Sequence, residues 1–393
     1  MKVLFYLDEE KLSPRGGPYG VGYYYWEEMK RRGETTIEFI ATNGKSEVFL
    51  KKGRTIAALL PQSLYKLQHE LRDIKRLKSI FSNPKPTKKV DFSKYDIVQF
   101  HETIDLYMEK KQLENYKGIV LLQSHSPLPL GMEKCLDYPP IYKKLIPDIA
   151  DRYNEVDRFA FERADYLIFP CEESEEPYLE NWNIYADIKK KKEKAYKYIL
   201  TGIYPAKAKR SKEKVREELG IPNDAFVASY VGRHNEVKGY SSLKKIGLRL
   251  IDKASNNWIV VAGRLGPIEA PNNPRWKEIG WTTDAHSYID ASDVFILPNK
   301  VTYFDLVMLE VLSLGKIVIA SRTGGNKYFE RNNVSGVFLY DTEEEALALL
   351  DKIKQMPPEE RMILGKENTV FFEKNLSVSA MYDSYMRMIR EIE

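Results

Sequence analysis

Arg233 and Lys238 are two cations that follow a short apolar run, Phe226 to Gly232. The run has the composition of a β-strand, and Lys238 stands where a helical pattern begins. An arginine guanidinium offers a planar pair of donors to phosphate oxygens, and a lysine ammonium offers a compact charge. The pair therefore predicts a diphosphate site, with two solvated surface charges as the alternative.

A second candidate site lies in the apolar helical pattern from Asp305 to Leu314. The free N–H groups at a helix N-terminus attract anions. Glu310 stands further along this pattern, and its carboxylate could accept hydrogen bonds from the two neighbouring hydroxyls of a ribose. The alternative is an exposed helical glutamate that binds nothing.

Glycines are concentrated after the first predicted strand. Their lack of a Cβ would let backbone N–H groups approach a ligand, and a flexible surface loop is the alternative. The first of them comes nine residues after Leu7, which is later than in a dinucleotide fingerprint and argues against NAD. The glycines are Gly16, Gly17, Gly20 and Gly22.

Two histidines, His101 and His125, also stand at the ends of predicted strands. A lone histidine is more often a packed or surface residue, but this position favours a ligand site. With an ordinary pKa of about 6.5, either side chain could donate or accept a proton.

The elements that must position these residues are short strand patterns alternating with longer helical patterns, and the alternation occurs twice. The predicted strands are residues 2–7, 37–42, 96–100, 118–123, 166–169 and 198–202, then 226–232, 257–263, 293–298 and 316–321. A polar stretch with Pro205 and Pro222 separates the two series. The pattern predicts an α/β protein of two doubly wound domains, which bind ligands at the carboxyl ends of their strands.

The composition fits such domains. Of 393 residues, 43% are hydrophobic and 30% are charged, which excludes a disordered or fibrous chain, and a net charge of +4 is too small for a nucleic-acid binder. The two cysteines, Cys135 and Cys171, lack the spacing of a zinc site, and no run of about 18 apolar residues occurs. We therefore expect a cytoplasmic protein.

The positive charge is concentrated between Lys51 and Val90, where eleven basic residues stand against two acidic ones. Part of this segment, Ser63 to Phe81, has apolar residues at helical spacing with basic residues around them. A basic amphipathic helix binds anionic lipid surfaces. The alternative is an ordinary packed helix with a solvated basic face.

Three segments of the chain resemble the nucleotide-binding domain of GT-B glycosyltransferases. They are VGRHNEVKGYSSL, WIVVAGRLGP and DASDVFILPNKVTYFDLVMLEVLSLGKIVIASRTGG. The resemblance is to the retaining family 4 enzymes of the group 1 type. It implies two Rossmann-like domains facing across a cleft, with residues 1–206 binding the acceptor and residues 207–370 binding the donor. Residues 371–393 would form a helix that crosses back to the first domain. The implied activity moves a sugar from a nucleoside diphosphate to an acceptor hydroxyl with retention.

The family's motifs also imply roles for single residues. Arg233 and Lys238 would hold the donor diphosphate, and Glu310, as the second glutamate of an E-x7-E motif, would hold the ribose. His125 would position the donor sugar, and His101 would lie nearer the acceptor. The implied set is catalytic His125, Arg233, Lys238 and Glu310; donor-binding Gly16, Gly17, Gly280, Thr302, Phe304, Asp305 and Leu306; and acceptor-binding His101 and Gly20.

One position departs from the motif, because Thr302 stands where the family has its first glutamate. The sequence therefore leaves the donor sugar, and to a lesser degree the activity, open. Asp305 could partly replace the missing carboxylate. No DxD-type pair follows a predicted strand, so we expect neither a metal nor another cofactor, and basic side chains would supply the counter-charge.

The expected partners are a nucleotide-sugar donor, a glycan or lipid-linked acceptor, and an anionic surface at the inner membrane face that contacts residues 51–90, but no nucleic acid. Two alternatives to a transferase in glycan or glycolipid assembly stay open. One is a nucleotide-sugar epimerase, which would need acidic and histidine groups poised for proton abstraction from the sugar. The other is a weak or silent GT-B subunit that binds a partner enzyme or a membrane.

Overall fold

The computed structural model describes residues 1–9, 12, 17–41, 62–86, 90–136 and 138–392. The chain divides into two compact units, residues 1–169 with 178–198, and residues 170–177 with 199–393. Residues 170–177 belong to the second unit because Glu176 accepts a hydrogen bond from the Gly324 N–H at 3.0 Å and pairs with Lys327.

The first unit is built on a parallel sheet of six strands in the order β2-β1-β3-β4-β5-β6. The strands are β1 (Val3–Glu9), β2 (Ile37–Ala41), β3 (Ile97–Phe100), β4 (Ile119–Gln123), β5 (Tyr166–Phe169) and β6 (Tyr196–Tyr198). The helices up to residue 191 are α1 (Pro18–Arg32), α2 (Gln62–Ser82), α3 (Thr103–Met108), α4 (Lys110–Leu113), α5 (Leu130–Leu136), α6 (Pro140–Leu145), α7 (Ile149–Arg163), α8 (Glu176–Asn181) and α9 (Tyr185–Lys191).

The second unit has a parallel sheet of six strands in the order β12-β11-β10-β7-β8-β9. The strands are β7 (Phe226–Val231), β8 (Asn257–Ala262), β9 (Trp276–Gly280), β10 (Val294–Leu297), β11 (Ile317–Ser321) and β12 (Val337–Tyr340). The helices are α10 (Lys212–Leu219), α11 (Tyr240–Lys253), α12 (Ala285–Asp290), α13 (Leu306–Ser313), α14 (Lys327–Arg331), α15 (Glu343–Gln355), α16 (Pro358–Asn375) and α17 (Val378–Ile392).

The predicted α/β class and the central strands are confirmed, whereas the differences lie at the sheet edges. The strand predicted at residues 198–202 lies at β6 instead, and β9 and β12 were not predicted. All three are edge strands. An edge strand is covered less completely than a central one, so residues such as those of WKEIG in β9 lack a continuous apolar run.

Helical periodicity decides which helix faces form the core of the second unit. In α11, Leu243, Ile246 and Leu250 recur at helical spacing and pack with Leu347 and Leu350 of α15 in one buried cluster. The helix α15 begins with a capping box in which Thr342 and Glu345 exchange side-chain and backbone hydrogen bonds. The capping residues that begin α15 and the apolar residues that it buries therefore indicate the same helix.

The end of the chain forms two helices, α16 and α17, with a short break between them. Ile203 forms an isolated parallel bridge with Ser377, donating to the Leu376 carbonyl at 3.0 Å and accepting from the Val378 N–H at 3.3 Å. These two bonds tie Ile203 to the break between the two helices, where α16 ends and α17 begins. Both helices belong to the second unit, and a crossing of residues 371–393 to the first stays a prediction.

The basic helix predicted over residues 63–81 is α2, and its apolar stripe has two parts. Ile74, Leu77 and Ile80 are buried in a cluster with residues of α5, α6 and α7. In the preceding turns, Leu64, Leu67 and Leu71 stay 52%, 39% and 45% exposed. Residues 51–61 and 87–89 of the predicted basic segment lie outside the described residues. Among the described helices, none is both long and apolar enough to cross a bilayer.

A buried ion pair joins α10 to the start of β10. The Asp293 carboxylate accepts hydrogen bonds from Arg216 at 3.0 Å, from Lys212 at 3.0 Å and from the Val227 N–H at 2.9 Å. Arg216 is 1% exposed and also donates to the carbonyls of Ala291, Asn223 and Ala225. Burial opposes ionisation of Asp293, but the two cations prevail and lower its pKa.

We expect Asp293→Ala to lower the free energy of unfolding of the second unit by about 3 to 5 kcal/mol, because Arg216 would stay buried without its carboxylate. Urea unfolding followed by tryptophan fluorescence measures this loss. Asp351→Ala is the matched control: it removes an exposed partner of Lys253 and should cost less than about 1 kcal/mol. Equal losses of unfolding free energy in the two variants would contradict a stabilising role for the buried pair of Asp293 and Arg216.

Candidate active site

Three loops meet at the carboxyl edge of the second sheet, where β7, β10 and β11 end. The Lys300 N–H donates to the Val237 carbonyl at 3.0 Å, and the Gly325 N–H donates to the Thr302 carbonyl at 3.3 Å. The Ser321 hydroxyl donates to the Asn299 carbonyl at 2.5 Å. The predicted residues that follow β7 and β10 are therefore brought together.

Lys238 and Asp305 form an ion pair between two of these loops. The Asp305 carboxylate also accepts from the Asn299 amide at 2.7 Å and caps α13 by accepting from the Val307 N–H at 3.4 Å. Burial opposes ionisation of Asp305, but the adjacent Lys238 ammonium lowers its pKa below the ordinary value. The anion at this helix N-terminus is thus a side chain of the protein itself.

Thr302, Phe304 and Leu306 were expected to contact a donor. Thr302 is 2% exposed, and its hydroxyl accepts a hydrogen bond from Asn299 at 3.0 Å. Phe304 is buried and stacks on Phe329 with ring centroids 5.6 Å apart. Leu306 is partly buried as the first residue of α13. The side chains of Thr302 and Phe304 thus support the loop from inside.

Arg233 is exposed just beyond β7, and Lys238 keeps a third of its side chain exposed. The loop that carries Arg233 is fixed by the Tyr230 hydroxyl, which donates to the Arg233 carbonyl at 2.9 Å. Both predicted phosphate-binding cations therefore reach solvent on the same loop after β7.

Glu310 pairs with His286, a residue that the sequence analysis missed. The distance from Glu310 Oε2 to His286 Nε2 is 3.4 Å, and each side chain is about a third exposed. The hydrogen bond to Glu310 raises the pKa of His286. His286 lies in α12, after the edge strand β9 that the sequence pattern did not predict, so the strand-end criterion that singled out His101 and His125 could not have found it.

Gly280, the last residue of β9, was also expected to bind the donor. Its φ of +73° lies in the left-handed region, which favours glycine. Its carbonyl accepts from the Gly263 N–H at 2.8 Å, so the loops after β8 and β9 are joined at the same edge.

In the first unit, His101 and His125 are stacked, with 3.0 Å between His101 Nδ1 and His125 Nε2. The other ring nitrogen of His101 lies 3.2 Å from the Gln99 amide nitrogen, and that amide also donates to Gln123 at 3.1 Å. Burial lowers the pKa of both rings, to about 3 for His125 and well below the ordinary value for His101. Both rings are therefore neutral near pH 7, so burial disfavours the proton exchange that an ordinary histidine pKa would allow.

Both histidines line a pocket of about 100 Å³ together with Pro18, Glu133, Asp157 and Tyr178. Asp157 is buried and accepts from the Thr103 hydroxyl at 2.6 Å and from the Leu130 N–H at 2.7 Å. Burial raises its pKa to about 7. The sequence analysis missed Asp157, although its place on the apolar face of α7 is a signal that could have found it.

The glycine-rich stretch is only partly a loop. Gly17 precedes α1 with a φ of +81°, whereas Gly20 and Gly22 lie inside α1 and are buried. A Cβ on Gly22 would stand 2.4 Å from a methyl of Leu7, so helix packing requires this glycine. Gly20 and Gly22 therefore belong to a helix, neither to a surface loop nor to a loop whose N–H groups approach a ligand, and Gly16 lies outside the described residues.

Across the part of the chain that the structure describes, histidine, cysteine, aspartate and glutamate side chains form no cluster of three that could hold a metal ion.

Residues 211–369 match the model of the family described as Glycosyl transferases group 1. A lipopolysaccharide core biosynthesis glycosyltransferase, LpsD of Rhizobium meliloti, is 25% identical over 182 residues, 44% of this chain and 51% of that protein. A lipopolysaccharide 1,2-N-acetylglucosaminetransferase of Salmonella typhimurium is 27% identical over 183 residues, 41% of this chain and 48% of that protein. The chain thus spans about half the length of these curated relatives.

Likeness to solved structures extends over both units. HepE of Anabaena, solved in complex with UDP, is 14% identical, with a TM-score of 0.61 over 100% of both chains. At that identity the likeness concerns the fold alone. Residues 211–369 are therefore a glycosyl transferases group 1 domain, in a chain that has the GT-B fold.

Proposed function

We propose that the chain is a glycosyltransferase that moves a sugar from a nucleotide-sugar donor to an acceptor hydroxyl with retention. The observation that carries the proposal is the placement of Arg233 and Lys238 on the loop after β7, and of Glu310 in the helix α13 that follows β10, in the unit that contains the matched domain. The loops after parallel strands are where open α/β sheets bind ligands.

The side chains there suit a nucleoside diphosphate. Arg233 and Lys238 would offset the negative charge that develops on the leaving diphosphate, which stabilises the transition state. Glu310 would accept hydrogen bonds from the ribose hydroxyls, in competition with His286. The bond from the anomeric carbon to the phosphate oxygen breaks, the bond to the acceptor oxygen forms, and the acceptor proton passes to the leaving phosphate.

The neutral state of His125 supports a positioning role for this residue in the first unit. A group whose pKa is about 3 is a weak base at pH 7, and its imidazolium form, which could act as an acid, is scarcely populated there. His125 would therefore orient a bound sugar by hydrogen bonding. No step of the proposed transfer requires a metal or another cofactor.

The relatives' names favour a donor and an acceptor class. HepE was solved with UDP, and the two curated relatives are named for lipopolysaccharide synthesis. We therefore place uridine nucleotides first among the donors, and a glycan or lipid-linked glycan first among the acceptors.

The proposal includes contact with an anionic membrane surface through α2. Its first turns present Leu64, Leu67 and Leu71 to solvent. Basic residues surround this stripe, and an apolar stripe flanked by lysines and arginines suits the boundary between acyl chains and anionic headgroups. The exposed basic residues of α2 are Lys66, Arg72, Lys75, Arg76 and Lys78.

One observation favours a second candidate function, a weak or silent subunit. Lys238 is already paired with Asp305, and the Thr302 hydroxyl is engaged with Asn299. If these contacts are permanent, the chain binds no donor and serves a partner enzyme. Donor binding separates the two candidates.

We expect Lys238→Ala to weaken nucleoside diphosphate binding by about 1.5 to 3 kcal/mol, because it removes a charged hydrogen bond. Titration calorimetry with UDP, GDP and ADP measures the affinity, and transfer assays with the corresponding nucleotide sugars measure turnover. Lys253→Ala, at the opposite end of α11, is the matched control and should bind as the wild type does.

Unchanged affinity in Lys238→Ala would remove this lysine from the site. A wild-type protein that neither binds nor turns over any of these nucleotides would refute the transferase and favour the silent subunit.

For the membrane surface, we expect the triple variant Lys75→Glu, Arg76→Glu and Lys78→Glu to lose binding to phosphatidylserine vesicles in a sedimentation assay. The control replaces three exposed lysines of the same unit by glutamate and therefore carries the same change in charge. These lysines are Lys190, Lys191 and Lys194. Circular dichroism should show both variants folded. Undiminished vesicle binding by the α2 variant would exclude this surface.

A further inference from the structure

The ammonium group of Lys238 is held by a carboxylate of its own chain. Asp305 Oδ2 pairs with Lys238 and accepts from the Asn299 amide at 2.7 Å, while Asp305 Oδ1 accepts from the Val307 N–H at 3.4 Å. The Asp305 carboxylate therefore meets a cation, an amide donor and a helix N-terminus together. These are the groups that a phosphate would use.

A buried acceptor without a partner lies in the same network. Asn299 is 1% exposed, and its amide nitrogen donates to both Thr302 and Asp305. Its Oδ1 atom is buried and has no hydrogen-bond partner among the described residues. An unsatisfied buried acceptor is unfavourable, so the network in which Asn299 donates to Asp305 is not fully compensated.

The charges at this position oppose a second anion. Asp305 is ionised at neutral pH, because the Lys238 ammonium outweighs the effect of burial and lowers the pKa of the carboxyl. A diphosphate that contacts Lys238 would come close to this carboxylate, and buried like charges repel with little screening by salt. The carboxylate and the diphosphate thus compete for one ammonium.

We propose that Asp305 is an internal counter-ion that holds Lys238 at the phosphate position and must release it before a donor diphosphate binds. This inference rests on the proposed function, since it assumes a nucleoside diphosphate at Lys238. It makes Asp305 a residue that lowers affinity for the diphosphate and leaves affinity for the nucleoside unchanged. If Asp305 merely oriented Lys238 toward the diphosphate, neutralising Asp305 would weaken diphosphate binding.

The test compares the wild type with Asp305→Asn and Asp305→Ser. Asparagine and serine are both good N-cap residues, so each variant keeps the start of α13 while removing the charge. Titration calorimetry measures binding of UDP, GDP and ADP and, separately, of uridine, guanosine and adenosine. Asp351→Asn, which removes one carboxylate from an exposed pair with Lys253, is the matched charge control.

We expect both Asp305 variants to bind the preferred diphosphate at least tenfold more tightly than the wild type, with nucleoside affinity and the control unchanged. Equal or weaker diphosphate binding by folded variants would overturn the counter-ion role while leaving the proposed function standing. If neither the wild type nor any variant binds a diphosphate, the proposed function itself fails, and this inference fails with it.

Discussion

Burial of the central parallel strands on both faces is the constraint on which the rest of this structure depends. In β3 and β10 every residue is buried, so these strands leave no room for side chains that bind a solvent-borne ligand. Polar groups that meet a ligand must then stand where the strands end. His101 follows β3, Arg233 follows β7, and Asp305 follows β10, each at a carboxyl end. The side chains expected to bind ligands thus lie on the loops at strand ends and on the helices that follow them, which the sheet holds in register.

In the second unit, several of the charged side chains expected to bind ligands are paired with other side chains of the same chain. Lys238 contacts Asp305, and Glu310 contacts His286. Such pairs satisfy groups that would otherwise stand unpaired and partly buried. They also set a threshold for a ligand, because its contacts must replace existing ones. The binding free energy at such a site depends on the difference between the polar contacts that the ligand makes and the polar contacts that it replaces.

The first unit shows how burial changes the chemistry of a residue type. Two stacked imidazoles lose their ordinary titration near neutral pH, whereas the nearby Asp157 gains one, with a pKa of about 7. Desolvation disfavours the charged form in all three groups, and this opposes protonation of a histidine and ionisation of an aspartate. From residue type alone, His101 or His125 would be expected to titrate near neutral pH. Burial instead gives Asp157 the pKa closest to neutral among these three groups.

The sequence by itself determined the α/β class, the central strands, the position of Arg233 and Lys238 after a strand and that of Glu310 in a helix, because apolar runs and helical spacing are local signals. Only the tertiary structure decided what these side chains contact. Asp305 lies 67 residues from Lys238, and such pairing depends on how the sheet aligns its loops. The edge strands β9 and β12, the break before α17 and the burial of Thr302 were decided in the same way. Each results from contacts between distant segments, which residue spacing does not encode.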